Sequence, residues 1–183
     1  MPEPAPADRR RSHPSPGATA PSAYDAWRHH EPTAWRDRHL HWHAYSWRGD
    51  ANRLHDNVAR RSAAESIVPF TLKDWLSKSD SLIRLAPTSP EEALAWLRKQ
   101  FDDCAPLMSP TRQRDFTSTD TRFGLALYQL RCGNDLSWGF WLTNRAYQAL
   151  SLITVDSRTC AAGHATEVNA ADRRTGPSPA PWG

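Results

Sequence analysis

The stretch Leu136-Ser137-Trp138-Gly139-Phe140-Trp141-Leu142, then Thr143-Asn144-Arg145, then Ala146-Tyr147-Gln148-Ala149-Leu150-Ser151-Leu152-Ile153-Thr154-Val155, decides the fold class. Leu136, Trp138, Phe140 and Leu142 alternate with Ser137, Gly139 and Trp141, the period of two that sends successive side chains to opposite faces of a strand. Tyr147, Ala149, Ser151, Ile153 and Val155 alternate likewise with Gln148, Leu150, Leu152 and Thr154. The spacing predicts two antiparallel strands joined at Thr143-Asn144-Arg145, with Asn144 available for a positive φ. A lone hairpin is marginal in water, so it must lie against helices or pair with a further strand, for which residues 66–70 are the candidate.

Upstream of the hairpin the period is helical. Ser89-Pro90-Glu91-Glu92 combines an N-cap serine, proline at the first helical position and a glutamate three residues after the cap. Leu94, Leu97 and Phe101 then form the buried stripe of a helix over 90–103. Phe123, Leu127 and Leu130 mark a second helix over 119–132, ended by Gly133. Trp35, Trp42 and Tyr45, at spacings of seven and three, predict a helix over 32–47 after the Glu31-Pro32 step. Leu54, Val58 and Ala59 predict another over 51–66, capped by Asp50. The expected fold is α+β: several short helices followed by a C-terminal antiparallel β-hairpin packed against them.

Buriable residues are unevenly spread. The first 20 residues hold five prolines and no Ile, Leu, Val, Phe or Trp, and from Asp156 onward only Val168 and Trp182 are large and apolar. Such segments cannot offset the entropy of ordering them. The composition therefore predicts a disordered tail over 1–21, one globular domain over 22–155 and a second disordered tail over 156–183. Three cysteines without a short spacing, Cys104, Cys132 and Cys160, form neither a disulfide framework nor a zinc knuckle. With no apolar leader and no long apolar run, the expected location is cytoplasmic, with no membrane contact.

The net charge is +3, yet the signs are mixed along the chain and the only basic run is Arg9-Arg10-Arg11. Arginine outnumbers lysine 20 to 3, in keeping with the codon bias of a GC-rich genome. Weak nucleic-acid binding is the most this distribution supports.

Three features could carry chemistry. Tryptophan alternates with arginine at Trp27-Arg28, Trp35-Arg36 and Trp47-Arg48, and indole with guanidinium is what single-stranded nucleic acid stacks on. Arg28, Arg36 and Arg48 are the residues of a nucleic-acid-binding accessory reading; the plainer account is core indoles with solvated arginines beside them. Six of the eight histidines lie between His29 and His55. On a helix, His39 and His43 are one turn apart and could share a zinc ion as part of a metal-dependent enzyme, with His30 or Asp37 as a third ligand. On a strand, His39, His41 and His43 would instead point to one side. No metal-hydrolase pattern surrounds them, no nucleophile elbow or phosphate loop is present, and no cofactor is expected outside the zinc reading. Finally, Trp141 falls on the opposite hairpin face from Trp138 and Phe140. With Trp27 and Trp47 it is a candidate contact with another protein or a second copy of the chain. The leading expectation is a non-catalytic accessory or regulatory module acting through protein–protein contacts.

Overall fold

A computed structural model describes residues 31–108 and 119–160. The expectations for the tails at 1–21 and 161–183, and for Trp27 and Arg28, lie outside the described residues. The fold is α+β. Its elements are α1 (Ala34–Asp37), β1 (Leu40–Asp50), α2 (Asn57–Arg61), β2 (Ile83–Leu85), α3 (Pro90–Cys104), α4 (Thr119–Arg131), β3 (Leu136–Trp141) and β4 (Ala146–Asp156). Short 3₁₀ turns at Ala51–His55 and Leu72–Ser77 lie between β1 and β2.

The four strands form one antiparallel sheet in the order β2-β1-β4-β3. The hairpin is therefore half of a sheet, and its further partner is β1 rather than residues 66–70. β1 and β4 pair over eleven residues, from Leu40↔Asp156 to Asp50↔Ala146. The expected helix over 32–47 is mostly this strand. His39, at φ 53°, turns the chain out of the single turn of α1 and into β1. Helix 51–66 is likewise reduced to a 3₁₀ turn and the five-residue α2, although Asp50 and Asp56 cap them through their carboxylates.

Both faces of the sheet are covered. On one face Trp42, Ala44, Leu136, Phe140, Leu150 and Leu152 pack against Trp96, Leu97 and Phe101 of α3 and Phe123, Ala126 and Leu130 of α4. Ser89 caps α3, its hydroxyl accepting from the Glu92 N–H at 3.2 Å, a contact that contributes about 1 kcal/mol. The Glu92 carboxylate accepts from the Thr88 N–H, one residue short of the reciprocal capping contact. Gly133, at φ 73°, stops α4.

On the other face Tyr45, Trp47, Ile83 and Ile153 pack under the irregular segment 51–82, chiefly Ala59, Ile67 and Trp75. That segment has little regular structure to satisfy its backbone, and two lysines do part of the work. Lys78 is buried and donates to the carbonyls of Ser62 and Glu65 at 2.8 and 2.7 Å. Lys73 donates to Asp135 and to the Thr154 carbonyl, tying the segment to the sheet.

The chain does not leave the fold at residue 156, the expected boundary. After β4 it makes a tight turn, with the N–H groups of Thr159 and Cys160 both donating to the Asp156 carbonyl. The Ser157 N–H donates to the His39 carbonyl at 2.8 Å. This turn lies beside the start of β1.

Candidate metal centre

Period two on β1 sorts its residues. Trp42 and Ala44 face the helices, while His41, His43, Tyr45 and Trp47 face the other way. His41 and His43 are 9% and 6% exposed. Their Nε2 atoms lie 3.3 Å apart, and the Cys160 sulfur lies 3.5 Å from Nε2 of His43. The donor atoms of His41, His43 and Cys160 all fall within 4.8 Å of one another.

A hydrogen bond between the rings would explain the first separation alone. It does not explain the set. A ring nitrogen carries either one proton or one in-plane lone pair, and Nε2 of His43 approaches both His41 and Cys160. One cation between the three atoms would satisfy them together. A tetrahedral zinc ion with bonds of about 2.0–2.1 Å to nitrogen and 2.3 Å to sulfur separates two nitrogens by about 3.3 Å and nitrogen from sulfur by about 3.6 Å. The two recorded spacings match both values. Nδ1 of His41 lies 3.1 Å from the Ser157 hydroxyl; with the proton on Nδ1 donated to that oxygen, Nε2 would be free to coordinate.

Burial, then the negative charge of Asp80, pushes the Cys160 thiol above its ordinary range. A bare thiolate is therefore disfavoured here, and a cation bound at this sulfur would have to displace the thiol proton. Cys104 differs. Burial raises its pKa to about 11, and it packs in the helix-side core with its thiol donating to the Phe101 carbonyl.

The expected metal residues are thus half replaced. His43 belongs to the cluster. His39 does not: it is exposed at the turn before β1, because the strand, not a helix, carries the histidines. His41, which the helical reading leaves out of the pair, takes that place. Asp37 is exposed and accepts from the Thr33 hydroxyl, and His30 lies outside the described residues. Sequence reasoning missed Cys160 by placing it in a tail. The alternation His39-x-His41-x-His43, read on a strand, was the available signal.

Two of the three Trp/Arg pairs lie among the described residues. Trp47 is 6% exposed and packs in the core under residues 51–82, which also removes it as a contact residue. Arg48, its neighbour on the strand, is exposed, so indole and guanidinium face apart. Trp35 leans on Trp42 at 6.0 Å with the Arg36 guanidinium over its ring, so both are engaged within the domain. Trp141 is 50% exposed at the end of edge strand β3, its ring edge-on to Tyr147. No helix among the described residues is long and apolar enough to cross a membrane.

Comparison of the chain with protein-family models, with curated proteins and with solved structures finds no match.

Proposed function

We propose that this chain is a metal-binding protein that holds one zinc ion through Nε2 of His41, Nε2 of His43 and the thiolate of Cys160. The convergence of three donor atoms within 4.8 Å, with the two contacts of His43 at 3.3 and 3.5 Å, carries the reading. Two imidazoles and one thiolate are borderline-soft ligands that suit zinc, and three protein ligands are the complement of sites that keep a fourth position for water or substrate. Elemental analysis of protein produced without a histidine tag tests it. The expected result is one zinc per chain, lost in Cys160→Ser and His43→Ala and retained in His39→Ala. Metal-free protein that gains no zinc on titration would refute it.

A second reading, protein–protein contact through Trp141, is favoured by one observation: a large indole half exposed on an edge strand. It is compatible with the first. Sedimentation of the wild type against Trp141→Ala tests whether the indole supports self-association.

A further inference from the structure

The three donors of the cluster are not equally reachable. His41 and His43 stand on a strand paired with β4 along its whole length, and both are buried. Cys160 is half-buried, at the end of the turn that follows β4. A small solute arriving from water therefore meets the sulfur before the imidazoles. Sulfur is also the one donor of the three with an oxidation ladder open to a mild two-electron oxidant. The other two thiols lie elsewhere. Cys104 is buried in the helix-side core, its thiol donating to the Phe101 carbonyl. Cys132 follows α4 and belongs to no metal-holding group of three donors among the described residues.

We infer that Cys160 is a site of oxidation by hydroperoxides, and that its oxidation releases the metal from His41 and His43. This rests on the zinc reading above. A metal-bound cysteine is deprotonated, and the thiolate, not the thiol, is the nucleophile. With hydrogen peroxide, the sulfur attacks one oxygen; an S–O bond forms and the O–O bond breaks. The sulfur gives up two electrons and becomes a sulfenic acid. The second oxygen leaves as hydroxide and takes a proton from solvent to become water. The anionic donor is thereby lost, and zinc is left on two neutral imidazoles. The turn keeps its backbone bonds to Asp156 and His39 but loses the ion that ties it to the side chains of β1. A phosphine takes the oxygen from the sulfenic acid, becomes the phosphine oxide and returns the thiol, so the site reloads.

The test uses the full chain, produced without a histidine tag, loaded with zinc and freed of excess metal. Hydrogen peroxide is the oxidant. A chromophoric chelator reads free zinc, and dimedone labelling with peptide mass spectrometry locates the sulfenic acid. One zinc released for each Cys160 oxidised is expected, with the label on Cys160 appearing before any on Cys132. In a sample without dimedone, a phosphine should restore zinc uptake. Cys132→Ser should release zinc as the wild type does. Zinc that stays bound once Cys160 or Cys132 is oxidised, or that leaves with Cys160 unmodified, would overturn the inference. A chain that takes up no zinc before peroxide is added would instead bring down the zinc reading itself.

Discussion

At the residue scale, the site depends on which way each histidine points. His39 and His41 are two apart in sequence, yet only His41 joins the donor cluster, because a positive φ at His39 ends the preceding turn and lets the strand begin one residue later. His39→Ala should therefore leave zinc affinity within about twofold, while His41→Ala, which removes a ligand, should cut it by well over a hundredfold in a competition assay with a chromophoric chelator. Ser157→Ala tests the outer contact. It should weaken zinc about 10–100-fold, the range for losing an orienting partner, without changing the ligand set. Zinc affinity equal to wild type in Ser157→Ala would mean that the hydroxyl does not set the His41 tautomer.

At the element scale, the hairpin faces divide as their alternation requires. Trp138 packs among Phe101, Phe123 and Phe140, whereas Trp141 is half exposed. Trp138→Ala should cost about 3 kcal/mol in chemical denaturation, and Trp141→Ala less than about 0.5. Gly139 lies where the Tyr147 hydroxyl crosses the strand, and a Cβ there would collide with it. Gly139→Ala should therefore destabilise by about 1–3 kcal/mol, and pairing it with Tyr147→Phe, which shortens the ring, should recover part of the loss. These elements were legible because one physical signal dominated each: alternation in β3 and β4, a proline and a serine cap in α3, a glycine stop in α4. The turn was read less well, since Arg145, not Asn144, takes the positive φ. β1 was not legible. It is buried on both faces, so Leu-His-Trp-His-Ala-Tyr-Ser-Trp shows no polar face, and Trp35, Trp42 and Tyr45 fall at helical spacing by coincidence. The helical spacing of that strand hides the donor cluster, whose third member comes from a turn about 120 residues away in sequence that only the β1–β4 register brings alongside.

At the scale of the whole molecule, the cluster joins the beginning of the sheet to its end. His41 and His43 stand on β1, one of the two inner strands, and Cys160 follows β4. A bound ion would pin the turn at 156–160 onto the sheet and favour the native state over the unfolded chain. Zinc at a hundredfold excess over its Kd should stabilise by about 2.7 kcal/mol, which for a domain of this size is roughly 10 °C in Tm. The gain should vanish with EDTA and in Cys160→Ser. Zinc K-edge X-ray absorption on the zinc-loaded full chain tests the central claim most directly, because it reads the ligand atoms themselves. One sulfur at about 2.3 Å with nitrogen and oxygen neighbours at about 2.0–2.1 Å is expected, with loss of the sulfur shell in Cys160→Ser. A spectrum with nitrogen and oxygen neighbours only, unchanged by that substitution, would contradict it.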